Sequence, residues 1–537
     1  MNIDTEVLVV GAGPVGLALA IELGTRNVRV MSAERHSRGG MAPRAKTTNV
    51  RTRTHLRRWG IAERLAQASP LGIDYPNDVM FITSLAGYKL AEFKNAFNAA
   101  PARSPDYPEH AQWIPQYKLE NVMLEHARTL PSVDMHFDMT FLDAEQDADR
   151  VISTLRDADG HTHTVTSRYL IGADGARSTV RGLIGAKMEG RYGLSRNYNI
   201  IFRAPGLALA HRHGPAVGYW QIGANGLSVV GPMDRGDIWF FMPTGLKEGE
   251  VISDEDAIER IKRATGIDLP YEILSADEWV ASELLADHYR DGRIVLAGDA
   301  CHLHPPFGGY GMNMGIGDGV DLGWKIAATL QGWGGPALVE TYEIERRPVH
   351  KIVIEEAVAN HAIIAAPNAF MAIADDTPEG EALRQKVGQE IAATKTREFH
   401  TLGTVLGLCY EDSPIIEGES GPSPVRDGMH YRPSARPGCL APHAWLDDGR
   451  SIYDLFGQGF ALVVADGTDD AEVTRAEHEA RALDVPFNIV RPAGVPVADL
   501  YGANLTLVRP DQHVAWRGNR WTSALRRAVG KTEGDVA

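Results

Sequence analysis

Cysteine is scarce in this sequence of 537 residues: Cys301, Cys409 and Cys439 are all it has, and they lie far apart along the chain. That spacing suggests neither a disulfide framework nor a metal cluster, so no metal is expected, and it fits a reducing, cytoplasmic setting. Positive charge is also short. Lys and Arg number 54 against 70 Asp and Glu, a formal charge of −16. Such a surface argues against nucleic acid or an anionic membrane as partner. No run reaches the roughly 20 apolar residues that span a bilayer. The apolar opening stretch carries Asp4 and Glu6 where a secretory leader would be basic, so no leader is expected. Internal repeats and low-complexity tracts are missing too. What remains is an ordinary globular chain, 44% apolar and 23% charged, with length for about three or four domains.

The first chemistry-bearing pattern lies near the start. EVLVV (6–10) is a short buried-strand run, GAGPVG (11–16) follows, and LALAIELGTRN reads as a helix ending near Gly24. VRVM (28–31) gives a second strand, with Glu34 and Arg35 just beyond it. This is a βαβ unit with a Gly-x-Gly-x-x-Gly turn. Gly11 permits the tight turn, Gly13 lets the backbone approach a pyrophosphate, and Gly16 lets the helix close on the strand. The helix N-terminus offers free N–H groups and partial positive charge to the phosphates. Glu34 falls where a carboxylate accepts hydrogen bonds from a ribose diol. The chain has no second unit of this kind.

Two later motifs decide which dinucleotide is meant. Residues 168–181 read RYLIGADGARSTVR, and 293–325 read RIVLAGDACHLHPPFGGYGMNMGIGDGVDLGWK. In the second, a buried strand ends at Asp299, whose ionised carboxylate only accepts hydrogen bonds. Pro305 and Pro306 stiffen the loop that follows. Gly308, Gly309 and Gly311 let the backbone approach a flat ring. A helix is expected from about Met312 through Trp324 and Ile326. With these motifs in this order, the sequence resembles the group A FAD-dependent aromatic hydroxylases, the para-hydroxybenzoate hydroxylase and phenol hydroxylase superfamily. The resemblance covers about residues 4–360.

The resemblance implies FAD as cofactor, NADPH or NADH as a transient cosubstrate, and a phenolic ring hydroxylated with O2 through a flavin C4a-hydroperoxide. It implies that Gly11, Gly13, Pro14, Gly16, Glu34 and Arg35 hold the nucleotide part of FAD. Arg44, in PRAKTTNVRTRTHLRRWGI (43–61), and Gln116, in QYKLE, touch it as well. Asp174 lies near the FAD and the nicotinamide route, and Arg177 serves anionic cofactor groups. Asp299 faces the ribityl hydroxyls. Pro306, Gly309, Gly311, Met312 and Asn313 lie at the flavin ring, with the helix N-terminus facing its N1–C2=O edge. The neighbouring Arg51, Arg53, Arg57 and Arg58 read as solvated or ion-paired helix faces.

The expected fold class is α/β with several domains. A Rossmann-like FAD-binding domain takes 1–71, 111–185 and 286–360. An inserted mixed β-sheet domain takes 72–110 and 186–285, where VGYWQIG and DIWFFMP read as strands. It is expected to form the substrate pocket, lined by Trp220, Trp239, Phe241 and Pro306. ETYEIERRPV (340–349) reads as a structural helix-end signature, and a helical connector and linker span 361–425. Residues 426–537 resemble a thioredoxin-like C-terminal domain. Cys439 lacks a Cys-x-x-Cys partner, so that domain reads as structural or as an oligomer contact, and a homodimer is expected. For the base that activates the ring, His302, Tyr117, Tyr198 and Tyr219 are candidates, with none singled out.

Other readings stay open. A same-fold flavin oxygenase could carry out Baeyer–Villiger or epoxidation chemistry. A flavin halogenase should show Trp-x-Trp-x-Ile-Pro, and QWIPQ (112–116) lacks the first Trp. A non-catalytic FAD-binding protein is the remaining alternative.

Overall fold

The computed structural model describes residues 3–37, 45–223, 226–244, 246–247, 249–361 and 372–532. Arg44 therefore lies outside the described residues. The strand Val7–Val10 is buried at every position, as a central parallel strand must be. It pairs in parallel with Val30–Ala33 on one side and Tyr169–Gly172 on the other. Val133–His136 extends the sheet at one edge. Ile294–Leu296 and the antiparallel Arg290–Asp291 extend it at the other, giving six strands.

Two helices meet on this sheet, Pro14–Gly24 and Gly311–Leu330. Glycines spaced four apart explain how closely they lie. A Cβ on Gly319 would sit 3.0 Å from Ala18 Cβ, and one on Gly323 would sit 2.7 Å from Glu22 Cγ.

The inserted region forms an eight-stranded sheet. Its spine is the long antiparallel pair Met188–Arg203 and Glu272–Ala286. Strand alternation divides its residues between two faces. Tyr198, Ile200, Phe202, Trp239 and Phe241 pack on one side with Ile252, Ala257 and Ile261. The last two belong to the helix Asp254–Thr265, which starts in a Ser253–Asp256 capping box. Ile201, Val229 and Phe240 pack on the other side with Trp113, Trp220 and Met242. His302–Leu303, from the glycine-rich loop, adds to the sheet's edge by pairing with Leu284 and Leu285. That pairing ties the loop to the sheet.

The C-terminal region holds a four-stranded mixed sheet, Phe487–Val490, Phe460–Val464, Leu505–Val508 and Val514–Gly518, with helices such as Asp470–Ala482 against it. This is the expected thioredoxin-like arrangement. Its core is continuous with the end of the long central helix, since Phe460 meets Trp324 edge-on at 5.9 Å.

Three sequence expectations need correction. Cys409 and Cys439 are disulfide-bonded although 30 residues separate them. The backbone bond from Tyr410 N to Gly438 O brings the two segments together, and spacing alone does not reveal that. The 340–349 segment opens a helix, Thr341–His361, with Pro348 inside it. Two of its charges are buried and pair with other elements: Glu345 meets Arg509 and Lys325, and Arg346 meets Asp318. Finally, Arg51, Arg53 and Arg58 are drawn inside and are not solvated, and the ion-paired alternative is the one met by Arg53 and Arg58. Arg53 pairs with Glu109 and Arg58 with the fully buried Glu22, while Arg51 reaches Gln512 and the Asp511 carbonyl.

Candidate functional site

The sequence motifs meet at the carboxyl ends of adjacent strands, since Val10 is level with Gly172 and Gly172 with Leu296. In an α/β sheet that is where ligands bind. The three turn glycines behave differently. Gly11 has φ +105°, and a Cβ there would lie 2.4 Å from Ala173 O. A Cβ on Gly16 would lie 1.9 Å from Gly11 O. Around Gly13 nothing comes within 4 Å, so the protein leaves that side open. Gly13 is also the N-cap of Pro14–Gly24, with no side-chain cap and no acid in the first turn. Its helix N-terminus is thus free to receive an anion.

Glu34 stands beside this turn. Its carboxylate accepts from Ala12 N at 2.9 Å and from His36 N at 3.1 Å. Arg35 is exposed and donates to His36. Gln116 opens the helix Gln116–Ala127, and its Oε1 accepts from Ala45 N at 3.1 Å. It thereby fixes the end of the Pro-Arg-Ala segment. Asp174 accepts from Ser178 Oγ, Thr179 N and Val180 N, capping the next turn. Arg177 is exposed. Asp299 lies half-buried in the turn Gly298–Ala300, directly after the strand.

The glycine-rich loop is held from both sides. Gly308 and Gly309 take positive φ, +89° and +67°. Asn313 is buried and works as a staple. Its Nδ2 donates to Gly309 O at 2.7 Å and Thr47 O at 2.9 Å, and its Oδ1 accepts from Asn49 N at 2.9 Å. Gly311 opens the long helix, Met312 follows it in the first turn, and that turn has neither an acid nor a side-chain cap. Pro306 is exposed at the loop's tip, whereas Phe307 is buried.

Beneath the loop lies a charge network that sequence reasoning missed. Asp318, on the same helix, is fully buried. It accepts from Gly298 N at 3.0 Å, His302 Nε2 at 2.9 Å, Arg346 Nε at 2.8 Å and His350 Nε2 at 2.8 Å. Burial opposes its charge, but His350, Arg346 and His302 outweigh burial and hold the carboxyl well below its usual range. Burial pushes His350 down to about 3 and, helped by His302, His304 down to about 4. The ligand-type atoms of Cys301, His302, Asp318 and His350 lie within 4.8 Å of one another, as in a metal site. Arg346, however, already fills the carboxylate's second oxygen, which makes this an ion-paired core instead.

The remaining candidates fall in different places. Tyr198, Tyr219, Trp239 and Phe241 share the cluster on the far side of the sheet. Tyr219 donates to Gly214 O. Tyr117 donates to Asp234, and burial, together with that carboxylate, raises its pKa. Trp220 is on the near side, stacked on Phe81 at 5.6 Å and tilted against Phe307 of the loop at 6.1 Å. Phe240 joins it there, 6.2 Å from Trp113. Lys46 projects onto this face, with Nζ 4.3 Å from the Phe240 ring centre and 3.8 Å from Met242 Sδ. Parity in DIWFFMP separates Phe240 from its neighbours. Which parity faces the loop is a matter of register with the partner strands. A broad depression of about 860 Å³ lies along the edge strand Phe487–Val490, but no motif residue lines it.

A Rossmann-type sheet with an open glycine turn, a carboxylate beside that turn and a second uncapped helix N-terminus under a glycine loop defines an FAD-binding flavoprotein fold. A family model described as FAD binding domain matches residues 4–357, and one described as aromatic-ring hydroxylase, C-terminal, matches residues 434–535. The chain belongs to the family of FAD-dependent aromatic-ring hydroxylases and is a flavoprotein monooxygenase. It is 31% identical to 2,4-dichlorophenol 6-monooxygenase of Delftia acidovorans, over 97% of this chain and 96% of that one. To phenol 2-monooxygenase of Pseudomonas sp. (strain EST1001) it is 32% identical, over 96% and 90%. A structure of the rebeccamycin biosynthetic enzyme RebC with reduced flavin superposes with TM-score 0.90 at 33% identity, covering 99% of each chain.

Proposed function

We propose that this monooxygenase hydroxylates a phenol-like aromatic ring, with NADH or NADPH as reductant and O2 as oxidant. The observation that carries this reading is the aromatic face of Phe240, Trp220 and Trp113, set opposite the glycine loop and closed on it by Phe307. A flat apolar ring fits such a wall, and the wall keeps water away from the reacting atoms. Relatives named for dichlorophenol and phenol support the substrate class.

In this reading Gly13 and the helix at Pro14 receive the pyrophosphate, Glu34 the adenosine ribose, and Asp299 the ribityl chain. Gly309, Gly311, Met312 and Asn313 set the loop against the ring system. When bound, the flavin supplies reduction of oxygen and transfer of one oxygen atom to the substrate. The free N–H groups at Gly311–Asn313 favour negative charge at the adjoining ring edge by about 0.3–1 kcal/mol. Phenols ionise with a pKa of about 10, so activation near pH 7.5 costs roughly 3.4 kcal/mol unless the protein assists. His302 is committed to Asp318 and to the loop's geometry, so its role here is to position the loop.

The test is oxidation of NADH and of NADPH by the yellow holoprotein against a panel of phenols, with product structures and peroxide measured. Acceleration with one hydroxyl gained on the ring is expected. Ring-expanded or epoxide products would replace this reading, and loss of the yellow cofactor-bound state would remove its basis.

A further inference from the structure

Buried lysines elsewhere in this protein have their acids. Lys325 meets Asp321 at 2.8 Å and Glu345 at 2.6 Å. Lys395 meets Glu398 and the Asn360 carbonyl, each at 2.9 Å. Lys46 differs. It is 9% exposed, and a thioether sulfur and a ring face are its side-chain contacts among the described residues. The preceding stretch of sequence, RGGMAPR at 38–44, contains no acidic residue. An ammonium group has three donors to satisfy, and burying one without an anion is costly. No anion among the described residues repays that cost, and the ring face offsets only part of it.

Its position is as telling as its isolation. The next residue, Thr47, lies against Gly309, and its carbonyl accepts from Asn313. Lys46 O accepts from Ile114 N at 2.8 Å, beside Trp113. The amine therefore sits in the seam between the glycine loop and the aromatic face of the sheet.

We propose that Lys46 is the anion anchor of the substrate site, pairing its ammonium group with an anionic oxygen, phenolate or ring carboxylate, of an aromatic substrate laid against Phe240. The inference rests on the reading of that face as the substrate wall. It adds a selection rule: acidic rings bind more tightly than their neutral isosteres. Burial lowers the Lys46 pKa to about 8, so the group is cationic at neutral pH, and its hold on an anion weakens above that value.

The experiment uses FAD-loaded wild type and Lys46→Met, with 2,4-dichlorophenol, its methyl ether and 2,4-dichlorobenzoate as probes. The readout is the perturbation of the flavin absorbance on binding. An anionic probe is expected to lose about tenfold or more in affinity in the variant, while the methyl ether binds both proteins alike. In wild type, benzoate affinity should fall above pH 8 or so, and in the variant it should not. Loss confined to the phenol identifies a phenolate, and loss confined to the benzoate a carboxylate. Equal loss for the ether and the anions, unchanged anion binding in the variant, or no binding of either anion at millimolar concentration would each overturn the proposal. If the anions bind through Lys46 but no phenol is hydroxylated, the anchor stands and the hydroxylase reading falls.

Discussion

Gly13 and Gly16 lie three positions apart in one turn and answer to different demands. A methyl group on Gly16 collides with Gly11 O, whereas one on Gly13, at φ −72°, meets no protein atom within 4 Å. Gly16→Ala is therefore expected to cost about 1–3 kcal/mol of folding stability. Gly13→Ala should leave the stability of the apoprotein within about 1 kcal/mol of wild type and lower FAD affinity about tenfold or more. Calorimetry and cofactor titration on both variants would separate the roles. Lys46 works in the opposite direction. Its folded pKa is depressed, so the unfolded chain holds the proton more tightly between about pH 8 and 10.5, and wild-type stability rises with pH across that window. Lys46→Met should raise the stability of the apoprotein at pH 7 by roughly 3 kcal/mol at most, with the gain shrinking as pH climbs through the window. A melting temperature that falls in the variant would mean the amine has a structural partner. The sequence marks the glycines by their spacing. Lys46 carries no such mark, because its isolation depends on which acids the fold keeps away from it.

At the scale of elements, the loop after Ile294–Leu296 depends on Asp318, one helix away. This carboxylate holds Gly298 N and His302 in the loop and Arg346 and His350 in Thr341–His361. Removing one partner of a buried charge network typically costs about 3–5 kcal/mol, and Asp318→Asn is expected to fall in that range and to release FAD at lower denaturant concentration. Because its folded pKa is depressed, the stabilisation is complete above an unfolded carboxylate's value of about 4 and is lost as pH falls below it. The acid limb of FAD retention should flatten in the variant, and flavin fluorescence against pH would read it. The helix was legible from its apolar run and glycines, and GDACHLHPPFGGYG was legible as a loop. The network was not, since Asp318, His302 and His350 are joined by contacts across three elements and share no spacing rule. DIWFFMP shows the same limit. It announces a strand, yet the loop-facing side of that strand, Phe240 and not Trp239 or Phe241, follows from pairing with Met188–Arg203.

At the scale of the whole molecule, the C-terminal domain is docked through buried charge. Arg509, with no exposed side-chain surface, pairs with Glu345, Asp321 and Asp511, and Lys325 shares the two acids of the central helices. Arg509→Met leaves three carboxylates facing one lysine, and a loss of about 3–5 kcal/mol is expected. The half-exposed Arg57–Asp454 pair spans the same junction, and Arg57→Ala should cost no more than about 1 kcal/mol. Limited proteolysis of the 412–434 segment, together with calorimetry, would rank the two. Equal effects would mean that apolar packing around Trp324 and Phe460 does the docking.

The sequence by itself determined that a dinucleotide is bound, because a pyrophosphate turn needs small residues at fixed spacing within one strand–turn–helix unit, and such local geometry is written in order along the chain; FAD as that dinucleotide came from the family resemblance of the two later motifs. Elements of strong periodicity were determined the same way. Tertiary structure alone decided the Cys409–Cys439 disulfide, the Asp318 and Arg509 networks, the face on which Phe240 lies and the lone amine of Lys46. Each of these depends on which distant groups share a low-dielectric interior, and that is set by packing between elements whose separation in sequence carries no trace of their contact.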